Sequence, residues 1–396
     1  MQITIVGGGF GGIKAALELA KKRRHTITLI SDRDEFQYYP SLFATATGGS
    51  HRQSWVPLAD IFRHHRNVTI VRDSIIKIDP SMRLLKGQAG EYRYHTLILA
   101  LGSVTSYFGI KGLDQYAYGI KSEDEIRELQ QHLYDEMSDG SDDEKNYVIV
   151  GAGPTGVELA GALGEYIKTL RLHFGIRKKS MKISLIEAAP RVLPKLSVET
   201  SQAAHRRLRK LGIHIQTKTR VERQTVNSLI VNDKPLVTQT VIWTSGVTNA
   251  AFFTENKAIF TLNERGKVVV DAYLQALPNV YVIGDNAATP YSGMAQTALH
   301  DAIYVAKRLG GSKKPYRPVM PSCVVPIGRH WAVFERGKLR FSGWIGSLFR
   351  MAADFVGYSD ILPIGWAFEA WTSMKKKEMK IPSRNASTST GNDQIK

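Results

Sequence analysis

The chain has 396 residues, 43% of them hydrophobic and 22% charged, which suits two or three globular domains and excludes a fibre or a wholly disordered chain. Its 53 Lys and Arg against 36 Asp and Glu give a net charge of +17, so the surface favours anionic partners such as nucleotides or an anionic membrane face. The basic residues are scattered and match no nucleic-acid motif of known spacing, so nucleic acid is not an expected partner. The single cysteine, Cys323, can close no internal disulfide and can build no cysteine metal site, which fits a reducing compartment.

In chain order, residues 2–6 (QITIV) read as a short buried strand, 12–24 as a helix and 25–30 (HTITLI) as the next strand, one βαβ unit. No basic stretch followed by an apolar one precedes it, so no signal peptide is expected. No run of about 20 apolar residues predicts a bilayer-spanning helix. Residues 94–101 (YHTLILAL) form another buried strand, stopped at Gly102. Residues 122–146 are acidic and polar and predict a surface helix, then a solvated connector.

A second βαβ unit follows, with a strand at 147–150 (YVIV), a helix from about 155 and a strand at 182–187 (KISLIE); the basic cluster 177–179 lies in the connection. A basic helix is predicted over 200–211, and a strand at 240–244 is stopped at Gly246. The strand 279–283 (NVYVI) ends at Gly284-Asp285, and a helix runs through about 309. After Pro315, Pro318 and Pro321, residues 323–342 predict a hairpin turning near Arg336-Gly337. Residues 343–380 carry Trp344, Trp366 and Trp371 among apolar residues, then Lys375–Lys377; the polar end from about 382 is predicted disordered.

Three motifs carry chemistry. Gly7-x-Gly9-x-x-Gly12 follows a strand and opens a helix: the first glycine allows the tight turn, the second a close approach to a pyrophosphate, the third close packing of helix on strand. Ser31 and Asp32 end the second strand, where Asp32 would accept from a ribose hydroxyl. Gly151-x-Gly153-x-x-Gly156 repeats the pattern, and its second strand ends at Glu187, placed to accept from a ribose 2′-hydroxyl and to repel a 2′-phosphate, although Arg191 is near. At Gly284-Asp285 the aspartate is brought to the first nucleotide site, within reach of a ribitol hydroxyl.

With both glycine turns (GGGFGG at 7–12 and GAGPTGVELAG at 151–161), YYPSLFATATG at 38–48, LILALGS at 97–103, VIWTSGV at 241–247, NVYVIGDNAA at 279–288 and MAQTAL at 294–299, the sequence resembles the two-dinucleotide-binding flavoproteins. Within them it is most similar to the type II, non-proton-pumping NADH dehydrogenases, over about residues 1–375. The resemblance implies FAD at the first turn and NADH at the second, with Gly102 and Gly246 among the cofactor-binding positions. It implies that Glu158 is the acid beside the nicotinamide; a plain helix-dipole glutamate is the other reading. Ala295-Gln296 matches the pair near the flavin edge where a membrane quinone is reduced. His300 stands where members often carry a second glutamine, and reads either as a quinone or proton partner or as a packed helix histidine. The apolar, tryptophan-bearing segment 343–374 matches a monotopic anchor and dimer contact, suited to an anionic membrane surface, or reads as an ordinary packed hairpin. Members often carry Arg and Asn where this chain has Ser359 and Asp360. With one thiol, neither disulfide-reductase nor sulfide:quinone chemistry is available.

The expected fold is α/β: two Rossmann-like dinucleotide-binding domains plus a C-terminal membrane-docking segment. The FAD domain spans 1–112 and 270–315, the NADH domain 113–269, the docking segment 316–380 and the tail 381–396. The expected activity is NADH:quinone oxidoreduction through FAD, without proton pumping or a catalytic metal, at the cytoplasmic face of the cell membrane. Two alternatives stand beside it. One is a soluble NAD(P)H-dependent reductase of a small carrier such as ferredoxin or rubredoxin. The other is a redox-sensing NADH-binding protein like the apoptosis-inducing factors.

Overall fold

The computed structural model describes residues 1–138, 145–176 and 181–373. The expected solvated connector near 139–144, the basic cluster at 177–179, Lys375–Lys377 and the polar tail lie outside them.

The first unit is built on a six-stranded sheet in the order Gln275–Leu277, Val280–Val282, Thr96–Leu99, Gln2–Val6, Thr26–Ser31, Val68–Arg72. All pairings are parallel except the outermost, Gln275–Leu277 on Val280–Val282. A parallel sheet is covered on both faces, which is why these strands read as near-continuous apolar runs. Ile3, Ile5, Ile27, Leu29, Leu97 and Ile98 are fully buried. Each such side chain contributes roughly 1.5–3 kcal/mol of burial. The helices Phe10–Ala20 and Ala295–Leu309 pack together over Ile3 and Ile5, on one face of this sheet.

The second unit has a four-stranded parallel sheet, His214–Thr217, Met181–Glu187, Lys145–Val150, Thr240–Trp243. An antiparallel layer, Val221–Gln224, Ser228–Val231 and Lys234–Val237, covers it. Two neighbouring antiparallel strands, Ser103–Thr105 and Val247–Asn249, carry the chain into this unit and back. Gly102 and Gly246 immediately precede them and hold φ of 70° and 79°.

Leu113 already packs with Val148, Val150 and Ile186 of the second sheet, where the sequence puts the start of that domain. The return differs from the expected boundary at 270. Phe252, Phe253 and Phe260 lie in one core with Val6, Ile30 and Leu97, so the chain rejoins the first unit about 20 residues earlier. The short helix Ala251–Glu255 that carries two of these rings has too few turns to show a helical period in the sequence.

The expected hairpin over 323–342 is a three-stranded antiparallel sheet, Cys323–Pro326, Ala332–Arg336 and Leu339–Gly343. Its first turn is closed by Ile327 N–H donating to the Trp331 carbonyl at 2.8 Å. The helices Trp344–Ser359 and Ile364–Ser373 follow and pack on each other. This segment holds both units. Glu335 accepts from Ser197 N at 3.0 Å and Ser197 Oγ at 2.6 Å at the start of the helix Val198–Lys210. On the other side Lys14 Nζ lies 3.1 Å from Asp360 Oδ1, and buried Tyr358 stacks on Tyr38 at 4.1 Å. Asp360 is therefore a partner of the first unit's helix.

Candidate functional site

The two glycine turns have the same local geometry. In each, the first glycine's N–H donates to the end of the neighbouring strand at 2.8 Å, Gly7 to Ile30 and Gly151 to Ile186. Gly7 holds φ of 117°, and a Cβ there would lie 2.1 Å from the Ala100 carbonyl oxygen. A Cβ on Gly12 would meet Gly7 O at 1.9 Å, and one on Gly156 would meet Gly151 O at 1.8 Å. Gly9 and Gly153 face open space, the room a pyrophosphate needs. Neither following helix, Phe10–Ala20 or Pro154–His173, has an acid in its first turn, so its N-terminus stays attractive to phosphate.

A cavity of about 640 Å³ runs from the first turn to the C-terminal helix. Gly7, Gly9, Asp32, Gly102, Gly284, Asp285, Ala295, Gln296 and Glu158 all lie on its wall. Asp32 is on the exposed rim, beyond the buried strand-end residue Ser31. Asp285 Oδ2 accepts from Ser103 Oγ at 2.8 Å. The loop carrying it is fixed from below: buried Asp301 accepts from Gly284 N at 3.0 Å and from Tyr316 Oη at 2.6 Å.

Glu158 is the fifth residue of the helix Pro154–His173 and is 8% exposed. Burial raises its pKa to about 8, against the opposing pull of Arg350. A glutamate serving only the helix dipole would be solvated and pulled the other way. Arg350 Nη1 stands 3.4 Å from Glu158 Oε1, Arg350 Nε donates to Asp354 Oδ2 at 2.7 Å, and Arg350 Nη2 donates to the Pro40 carbonyl at 2.8 Å. One buried cation thus serves two buried carboxylates, and burial raises the pKa of Asp354 also.

Gln296 Oε1 accepts from Ser322 N at 2.9 Å. His300 is not on the cavity wall: its Nε2 lies 3.0 Å from the Arg317 carbonyl and its ring beside Tyr316 at 5.6 Å. Glu187 is drawn into the second turn, accepting from Ala152 N at 2.7 Å and Ala189 N at 2.8 Å. The Arg191 guanidinium is committed to backbone carbonyls, of Leu196 at 2.6 Å and Pro194 at 2.8 Å among others, rather than presented beside Glu187.

Four residues of the site were missed in the sequence. Lys121 lines the cavity, its Nζ is shielded from solvent and has no hydrogen-bond partner among the described residues, and burial lowers its pKa. A buried, unpaired ammonium on this wall fits an anionic group in the cavity. Buried Asn286 exchanges hydrogen bonds with Gly102, at 2.9 Å and 2.6 Å, and donates to Asn249 Oδ1 at 2.5 Å, pinning both connecting strands. Arg350 and Asp354 had one visible signal, an i,i+4 charge pair inside an apolar stretch.

Residues 1–302 match the family described as pyridine nucleotide-disulphide oxidoreductase. The chain is 29% identical to the type II NADH:quinone oxidoreductase Ndh of Mycobacterium tuberculosis, over 100% of this chain and 93% of that protein. It is 26% identical to a type II NADH:quinone oxidoreductase of Staphylococcus aureus, over 93% of this chain and 98% of that protein. Among solved structures it is similar to NDH2 from Plasmodium falciparum in complex with NADH, with a TM-score of 0.83, 19% identity and coverage of 94% of this chain and 97% of that one. The last likeness establishes the fold, and the first match the family: the chain belongs to the pyridine nucleotide-disulphide oxidoreductase family.

Proposed function

We propose that this chain is an FAD-dependent NADH:quinone oxidoreductase that passes two electrons from NADH to a quinone without pumping protons. The observation that carries the reading is a single cavity walled by the first glycine turn, by Pro154, Thr155 and Glu158 of the second unit, and by Arg350 of the C-terminal helix. The relatives that match over nearly their whole length carry the same activity in their names.

The cavity's residues fit FAD: Gly7 and Gly9 for the pyrophosphate, with Gly12 packed behind them, Asp285 for the ribitol, Asp32 at the rim and Lys121 as a counter-charge. When bound, FAD supplies the two-electron relay between the two substrates. Gly151, Gly153 and Gly156 receive the NADH pyrophosphate, and Glu187 accepts from its ribose. Glu158, with a pKa of about 8, holds or releases a proton near neutral pH, while Arg350 fixes the carboxylate. Gln296, tethered by Ser322, presents its amide to a quinone carbonyl, and its place on the wall favours it over His300 for that role.

The outer faces of the last two helices support attachment to a membrane surface: Trp344 is 68% exposed, Leu348 50%, Ile364 68% and Phe368 56%. Among the described residues no helix is long and apolar enough to cross a membrane. Peripheral binding at the cytoplasmic face, with a dimer contact in the same region, completes the proposal. A soluble reductase of an iron–sulfur carrier has no use for such a face.

Anaerobic stopped-flow tests the activity. The FAD-loaded protein is reduced with NADH and mixed with a short-chain quinone. Reoxidation at about 10 s⁻¹ or faster is expected. A flavin that NADH reduces and quinone leaves reduced overturns the quinone assignment.

A further inference from the structure

Beyond the groups assigned above, three side chains from separate elements converge on the seam between the two units. Glu35 begins the strand Glu35–Gln37, His51 begins the turn His51–Gln53, and Glu123 begins the helix Glu123–Ser138. One ligand atom from each lies within 4.8 Å of the other two. We propose that Glu35, His51 and Glu123 form a divalent-cation site of the zinc or manganese class.

The imidazole is held in place by stacking on Trp55, with ring centroids 4.6 Å apart and planes 15° from parallel. His51 Nε2 lies 3.0 Å from Glu123 Oε1, is shielded from solvent, and yet is not aimed to make a hydrogen bond. That is the relation of two ligand atoms that point at a common ion: with metal–ligand distances of about 2.0–2.2 Å, neighbouring ligand atoms stand roughly 3.3 Å apart without pointing at each other. The carboxylate of half-buried Glu35 makes no hydrogen bond or ion pair among the described residues.

Charge gives a second argument. Two carboxylates meet here, and the cation already in contact among the described residues is Arg127, on Glu123. With the imidazole neutral, one positive charge against two carboxylates leaves a residual negative charge, which favours a cation here. One imidazole and two carboxylates suit zinc or manganese and leave a coordination position for water. The site joins Glu35 and His51 of the first unit to Glu123 of the second. Gln37, two residues from Glu35, donates to the Lys121 carbonyl, so the ion would stiffen the wall that presents Lys121. The inference does not depend on the electron acceptor.

The test uses the full-length, FAD-loaded protein, stripped with a chelator and dialysed. It is titrated with zinc chloride and with manganese chloride by calorimetry, with melting curves alongside. One equivalent bound and a melting temperature raised by about 2–4 °C are expected. His51→Ala, Glu35→Gln and Glu123→Gln should each weaken binding by about tenfold or more, with flavin content unchanged in His51→Ala and Glu123→Gln; Glu35 also lines the cavity. If His51→Ala loses its flavin, the two glutamine variants carry the test. Absence of binding below millimolar metal overturns the proposal. So does one-equivalent binding that these variants leave intact.

Discussion

The two dinucleotide units share a turn and differ in what completes it. In the second unit the turn and its acid are near in sequence: Gly151 to Gly156, and Glu187 at the end of the next strand. In the first unit the turn is local but the rest is assembled from afar, with Asp285, Lys121, Gln296 and Arg350 on one wall. The strand-end acid differs too. Glu187 is tied by two backbone N–H groups, while buried Ser31 takes the matching place and Asp32 stands at the rim. Backbone constraints repeat wherever the same phosphate is bound, whereas the groups that set the chemistry come from whatever the fold brings near.

The sharpest way to break this comparison is to spoil both turns equally. Gly12→Ala puts a Cβ against Gly7 O, and Gly156→Ala puts one against Gly151 O. Gly12→Ala is expected to yield protein without flavin, by absorbance; Gly156→Ala should keep its flavin and lose NADH-dependent reduction. If both lose flavin, the units are not separable in function.

Arg350→Ala leaves Glu158 and Asp354 buried without their cation, at a cost of about 3–5 kcal/mol. A lowered denaturation midpoint checks it, and an unchanged midpoint means that protonation of the two carboxyls, or water, has made up for the guanidinium.

Glu158→Gln should slow turnover by about a hundredfold and abolish the pH dependence near 8. The same change has a stability signature. The folded protein keeps this proton up to about 8, whereas the unfolded chain loses it near 4.5, so the folded state binds more protons between those values. Stability from this group is present at low pH and is lost as pH rises from about 4.5 towards 8. Melting curves of Glu158→Gln should show that decline flattened.

Glu187→Gln should weaken NADH by about tenfold and narrow the preference over NADPH, read as the ratio of kcat/KM values. The smallest effect belongs to the surface. Trp344→Ser with Phe368→Ser should reduce flotation with anionic vesicles several-fold while leaving turnover with a water-soluble quinone intact.

Much of the fold is legible in the sequence, because parallel strands buried on both faces leave apolar runs and each turn leaves its glycines. Glu158 and Gln296 are legible through the motifs around them. Lys121 and Asn286 are not: Lys121 is brought to the cavity wall by the fold, with no hydrogen-bond partner among the described residues, and Asn286 meets Gly102 and Asn249. The return of the chain near Phe252 and the third strand of the C-terminal sheet escape for the same reason, being fixed by packing rather than by period.

The paired connecting strands have a wider consequence. Because Ser103–Thr105 and Val247–Asn249 run side by side, the second unit enters and leaves at one place, like a cassette held by a single clip. A lineage that exchanged that cassette to change the electron donor would have to replace Lys121, Pro154, Thr155 and Glu158 as well, because the second unit lends them to the cavity wall.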